Sequence, residues 1–258
     1  MFDLSVRNEY NKADRDDRGS SVKPKLKLRG ARLLFFLLVL AALLTAGITL
    51  LCDKDAIPAS FEEGRPVLVI DPGHGGFDGG AVSEDGTKES DINLAIGLKM
   101  QGLAELIGQE CVMTRTDDSS RTDYADYSEH QDLVRRTELI NGTPGAVVFS
   151  IHQNCFPTGQ PSGAQVLYSS FSGSEMLGKL THANLIQCLD PQNRRVAEPA
   201  PKALYITANA HCPTILVECG FMSNIFDVVK LRDEQYQTAL SVVMIASLLQ
   251  YLSDTEIS

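Results

Sequence analysis

The sequence predicts an α/β fold, a mainly parallel twisted sheet with helices on both faces, preceded by one transmembrane helix. Three observations carry this. Short unbroken apolar runs, VLVID at 67–71, AVVFSI at 146–151 and TILVE at 214–218, suit strands buried on both faces. Segments of helical periodicity lie between them, and strands alternating with helices favour a parallel sheet. Residues 33–51 (LLFFLLVLAALLTAGITLL) contain no charged side chain. As a helix such a run spans roughly 28 Å, close to the hydrocarbon thickness of a bilayer.

The elements follow in order. Residues 1–32 carry nine Lys/Arg against five Asp/Glu and are poor in aromatics, which predicts a disordered basic arm on the cytoplasmic side. Lys23, Lys25, Lys27, Arg29 and Arg32 precede the apolar run 33–51, while Asp53, Lys54 and Asp55 follow it. Positive charge stays cytoplasmic, so the remainder is expected outside the membrane, held by a single-pass anchor. A cleaved signal peptide is the alternative, but its apolar region is usually shorter and no small-x-small site follows the run. Residues 52–65 read as a linker, 66–252 as one domain and 253–258 as a tail.

Within the domain, residues 89–108 place Ile92, Ile96, Leu103, Leu106 and Ile107 at helical spacing, and CVMTR at 111–115 is a short strand. Residues 116–128, rich in Asp, Ser, Thr and Tyr, form a loop. A helix over 129–141 buries Leu133, Leu139 and Ile140. After a Pro/Gly-rich connection at 157–163 come a strand at 164–169 and a helix at 173–189, and the chain closes with a helix at 234–252. No internal repeat is visible.

Residues 53–258 hold 14 Lys/Arg against 28 Asp/Glu, a net charge of −14. That excludes a general nucleic-acid-binding domain, because phosphate contacts need clustered cations. The six cysteines form no C-x-x-C pair, so a cysteine zinc knuckle is excluded and most are expected as buried free thiols.

Three predicted strands end in groups that bind metal or move protons: VLVID leads to His74, VVFSI to His152 and TILVE ends in Glu218. Sites in open α/β sheets gather at the carboxyl ends of strands. His74 lies in DPGHGGFDGG, where glycines let the backbone turn tightly, and Glu89 opens the next helix. Two imidazoles and one carboxylate make an open zinc site, and a second, unliganded carboxylate serves as general base. Spacing alone leaves this open, since the three residues match no local zinc motif. A helix N-terminal carboxylate favoured by the dipole is the alternative reading of Glu89. Asp71 and Asp78 are candidates to orient an imidazole, with turn formation an equal explanation for Asp78. His130, His182 and His211 read as surface or structural residues, His211 with a rim position as its alternative.

IDPGHGGFDGGAV, KESDINLAIGLKM, SIHQN and LVECGFMSN together resemble the zinc-dependent N-acetylmuramoyl-L-alanine amidases, over about residues 66–252. The resemblance implies that His74, Glu89 and His152 bind one zinc ion and that Glu218 is the catalytic acid/base. The segment LVRRTELIN resembles a family stretch that aligns at Arg136, implying a role in positioning substrate or structure. The chain departs from the family at Ser90, where Lys is frequent, and at Cys155, where a small residue is usual. Cys155 and Cys219 either pack as small apolar residues or tune metal preference and oxidation sensitivity.

The implied reaction is hydrolysis of the amide between N-acetylmuramic acid and L-alanine of peptidoglycan. Small size and the lack of binding repeats are similar to the sporulation type, which trims stems in spore cortex, sometimes with an activating protein partner. A non-hydrolytic wall-binding or activator domain, and a zinc peptidase cutting within the stem, are the alternatives.

Overall fold

The computed structural model describes residues 66–120 and 128–256. The basic arm, the apolar run 33–51, the linker 52–65 with Cys52, part of the loop 116–128 and the last two residues lie outside the described residues. Among the described residues no helix is long and apolar enough to cross a membrane.

Among the described residues twelve elements follow one another: β1 (Val67–Pro72), α1 (Glu89–Leu106), β2 (Cys111–Met113), α2 (Glu129–Asn141), β3 (Ala146–Asn154), β4 (Gln165–Tyr168), α3 (Ser174–Leu189), β5 (Glu198–Pro199), α4 (Tyr205–Asn209), β6 (Thr214–Phe221), α5 (Ile225–Arg232) and α6 (Glu234–Glu256). The strands form one sheet in the order β2-β1-β3-β6-β4-β5. Pairings β2/β1, β1/β3, β3/β6 and β4/β5 are parallel, and β4 runs antiparallel to β6. The sheet is therefore mixed with a parallel centre, and the reversal occurs beside the strand that carries Glu218.

Strand alternation explains the two faces. Leu68 and Ile70 of β1, Val147, Phe149 and Ile151 of β3, and Ile215 and Val217 of β6 enter the larger apolar cluster with residues of α1, α3 and α6. Val69, Ala146 and Val148 point the other way, into a smaller cluster with Ile140 of α2 and Ile206 of α4. Two residues further along each strand on this second face, apolar side chains give way to Asp71, Ser150 and His152, and Glu218. The parallel register sets Asp71 beside Ser150, Ser150 beside Leu216, and His152 beside Glu218. The thinner layer thus leaves the carboxyl ends of three central strands open on one face.

Several expectations shift at the edges. α1 stops at Leu106, two residues short of the expected end at 108, and Leu106 and Ile107, both at helical spacing in the sequence, are exposed. The strand expected to end at Ile151 continues through His152 to Asn154, and the one expected to end at Glu218 runs on to Phe221. The last helix reaches Glu256, into the expected tail. The short elements β5, α4 and α5 have no apolar periodicity that marks them. α5 exposes Ile225, Phe226 and Val229, and its start is set by a cap: the Asn224 side chain accepts the N–H groups of Phe226 and Asp227.

Candidate active site

The loop after β1 is shaped by close approach. A Cβ on Gly73 would sit 2.2 Å from Cε1 and Nε2 of His152, and one on Gly80 would sit 2.6 Å from Glu89 Oε2 and 2.7 Å from His74 Cδ2. Glycine at both positions lets the backbone pass against the side chains that the site needs. His74 itself has φ 60°, a left-handed conformation that costs strain in a residue with a Cβ. Arg136 holds this backbone in place. Its Nη2 donates to the His74 carbonyl at 2.6 Å and its Nη1 to the Pro72 carbonyl at 2.8 Å. The same guanidinium is paired with Asp71 at 3.0 Å and Asp132 at 2.7 Å, and the residue is 1% exposed.

Asp71 accepts hydroxyl hydrogen bonds from Thr114 and Ser150, each at 2.6 Å. Burial works against its ionisation, but Arg136 and the two hydroxyls more than offset this and hold its carboxyl below the usual range. Of the two candidate orienting carboxylates, Asp71 therefore serves the buried scaffold. Asp78 touches an imidazole: its Oδ2 accepts from His74 Nδ1 at 2.6 Å, while its Oδ1 accepts the Gly80 N–H at 3.0 Å.

With Nδ1 fixed, His74 turns Nε2 toward Glu89 Oε1, 3.2 Å away, and His152 brings Nδ1 to 3.1 Å from the same oxygen. The two rings meet edge to face with centroids 4.9 Å apart. Glu89 is anchored from behind by the N–H groups of Ala81 (2.9 Å) and Gln153 (3.0 Å). One ligand atom from each of His74, Glu89 and His152 lies within 4.8 Å of the others. A tetrahedral ion with bonds of about 2.0–2.2 Å puts its ligand atoms roughly 3.3–3.6 Å apart, close to these separations.

Electrostatics agree with a site built for positive charge. Burial disfavours the His74 imidazolium, yet hydrogen bonds to Asp78 and Glu89 raise its pKa to about 10. Burial likewise disfavours ionised Glu89, and the two imidazoles hold it well below the ordinary carboxylate range. Glu218 behaves in the opposite way. Burial raises it to about 7, opposed by His152 and His74 and reinforced by the charge of Glu89. Its Oε2 is buried with no hydrogen-bond partner among the described residues. An orphaned carboxylate oxygen beside two imidazoles and a carboxylate fits a zinc site with one free proton acceptor.

These groups line a cavity of about 290 Å³, with Glu129, Cys155, Leu204 and Tyr205 also in its wall. The profile of the N-acetylmuramoyl-L-alanine amidase family matches residues 68–250, most of the described domain. The chain belongs to this family. It is 30% identical over 205 residues to a germination-specific N-acetylmuramoyl-L-alanine amidase of Bacillus subtilis, covering 76% of this chain and 84% of that one. It matches the CwlD amidase of Clostridioides difficile, solved in complex with the GerS lipoprotein, with TM-score 0.69 and 34% identity over 73% of this chain and 99% of that one. The amidase AmiC2 of Nostoc punctiforme matches with TM-score 0.63 and 29% identity, over 73% of this chain and 97% of that one.

Within this amidase the remaining candidates separate. His130 stacks edge-on against Tyr205, His182 is buried and bonds the Arg195 carbonyl at 2.9 Å, and exposed His211 lies outside the cavity wall. The cysteines depart from the expectation of burial: Cys212 and Cys219 are buried, while Cys155 and Cys188 are exposed and Cys111 is half-buried. Burial pushes the Cys219 thiol up to about 12, which makes it inert, and Cys155 reaches the cavity wall. Sequence reading missed the clamp in the GFMSN block. Asn224 donates to the carbonyls of Gly159 and Pro161, and Asp227 accepts from the N–H groups of Gly163 and Phe221. Asn followed three residues later by Asp is a cap signal that could have found it.

Proposed function

We propose that the chain hydrolyses the amide between N-acetylmuramic acid and L-alanine of peptidoglycan with one zinc ion held by His74, Glu89 and His152. Peptidoglycan amidase activity follows from membership of the family. Zinc, when bound, supplies Lewis-acid polarisation of the scissile carbonyl and acidifies water.

The protein's own groups do the rest. Asp78 fixes the His74 tautomer, and Arg136 holds the backbone that presents the ring. Glu218 is the general base and acid. It accepts the proton of the attacking water and returns it to the alanine nitrogen as the C–N bond breaks, leaving a lactyl carboxylate and a free stem amine. A carboxyl near neutrality suits both halves of that cycle. The observation that carries this reading is the buried, unpartnered Glu218 Oε2 beside the donor cluster. The direct test is Glu218→Gln in the full chain, expected to keep one zinc ion and lose turnover; an active, zinc-replete variant refutes the role. Chelation is expected to abolish stem release, with recovery on adding zinc.

We further infer an exported domain held at the cell membrane by residues 33–51, supported by their lack of charge and the basic flank before them. Protease added to intact cells degrades the domain if this is right and spares it if it is cytoplasmic. A role in spore cortex maturation, with an activating protein partner, draws support from the germination-specific relative and from the amidase solved with a lipoprotein. Cortex of a deletion strain lacking muramic lactam supports it, and unchanged cortex refutes it.

A further inference from the structure

Charge near the site is unevenly spent. The domain is strongly acidic, and the two buried arginines among the described residues are fully engaged. Arg136 is bound as described, and Arg115 donates to the carbonyls of Pro72, Gly73, Ser90 and Asp117. Arg195 differs. Its Nε donates to the Ser162 carbonyl at 3.1 Å and its Nη1 to Gln165 Oε1 at 3.0 Å, and its guanidinium lies over the Phe221 ring, 4.3 Å from the centroid. Those contacts fix the plane of the group, and Nη2 has no hydrogen-bond partner among the described residues. Arg195 lines an open hollow with Ser162, Asn193, Arg194 and Asp190, so two cations face one carboxylate there.

The register connects this hollow to the chemistry. Gln165 of β4 pairs directly with Glu218 of β6, so both side chains stand on the same face. Arg195 is therefore one strand beyond Glu218, on the side away from His74 and Glu89. Glu218 delivers its proton to the leaving alanine nitrogen, so the departing peptide extends on Glu218's side. Strands lie about 4.8 Å apart and one extended residue spans about 3.5 Å. The residue after alanine is then the one that comes abreast of Arg195. In peptidoglycan stems that residue is a γ-linked glutamate whose α-carboxyl is either free or amidated.

We propose that Arg195 is a specificity-determining residue that binds the free α-carboxylate of the stem's second residue. This rests on the amidase reading and on Glu218 as the acid. A guanidinium held flat by a ring and two hydrogen bonds is pre-organised for a planar carboxylate, and it loses little entropy on binding one. An amide at that position offers one neutral acceptor oxygen in place of two charged ones, and so forfeits the charge-assisted part of the interaction.

The test compares disaccharide-tetrapeptides that differ only in that carboxyl, using the zinc-loaded full chain. Arg195→Gln is expected to raise KM on the free-acid form about tenfold while kcat moves little, with a KM effect at least fivefold smaller on the amidated form. Equal losses on both forms, or no loss on either, overturn the proposal. Calorimetry on the unmutated chain supplies an arm that does not depend on the variant folding. The released free-acid stem peptide is expected to bind about tenfold tighter than its amidated counterpart, and equal affinities overturn the proposal. A chain that cleaves neither substrate yet prefers the free-acid peptide refutes the amidase reading and keeps the binding site.

Discussion

Replacing Arg136 with methionine removes one charge and little volume, so the lost ion pairs dominate the effect. Arg136 and Asp71 have side chains 2% and 0% exposed, and neither can turn to water when its partner is lost. Breaking a buried pair from one side costs about 3–5 kcal/mol, a large part of the roughly 5–15 kcal/mol that holds a domain together. The sign with pH follows from Asp71. Its carboxyl lies below the unfolded value of 3.8, so its contribution is full above that value and is lost as pH falls through the folded pKa. In Arg136→Met nothing opposes burial as strongly, Asp71 keeps its proton to higher pH, and the gap to the unmutated chain narrows as pH is lowered. Urea unfolding of the chelated protein at pH 7 and in a descending pH series measures both effects. Adding Asp71→Asn is expected to recover more than about 1 kcal/mol, the signature of coupled neighbours. A cost below about 1 kcal/mol at pH 7, or a gap that ignores pH, refutes the account of this network.

Other substitutions test the remaining parts. Asp78→Ala is expected to weaken zinc binding about 10–100-fold in chelator competition, because His74 loses the partner that fixes its ring; unchanged affinity contradicts this. Gly73→Ala forces a Cβ into the His152 ring and is expected to drop zinc content below one per chain, measured by atomic absorption. Gly102→Ala is its control: the Cβ meets open space in mid-helix, and about 0.5–1 kcal/mol of added stability is expected in urea melts. Glu218, raised from 4.5 to about 7, favours folding in its neutral form, and that contribution is lost as pH rises through about 7. The chelated unmutated chain should therefore lose stability relative to Glu218→Gln between pH 5 and 8, and parallel pH curves would exclude a raised pKa.

Much of the fold and of the site is legible in the sequence. The three central strands announced themselves because burial on both faces writes unbroken apolar runs, and each run ended at a residue that the structure draws to one edge of the sheet. Period-two alternation then carries His152 and Glu218 to the same face, which a strand ending at Ile151 left implicit. What stayed hidden depends on contacts distant in sequence. Asp71 and Asp78 looked alike beside His74, yet only Asp78 reaches its ring, because Arg136, Ser150 and Thr114 claim Asp71 from other elements. The sequence leaves Arg136 open between positioning substrate and positioning structure, and its donors go to the scaffold of the His74 loop. The antiparallel course of β4, which brings Gln165 beside Glu218, leaves no mark in a four-residue strand. Short α5 is equally silent, since Ile225, Phe226 and Val229 face outward and only Val228 and Leu231 of its apolar residues are buried.

The identity of the bond that is cut decides the assignment of His74, Glu89, His152 and Glu218. Mass spectrometry of purified peptidoglycan digested by the zinc-loaded full chain reads it directly. Intact stem peptides beginning with a free L-alanine amine, alongside glycan carrying unmodified lactyl carboxylates, are the predicted products. Glycan that retains alanine on its lactyl groups, with stems shortened from within, would mean a different carbonyl is placed against His74, Glu89 and His152 and would contradict the assignment.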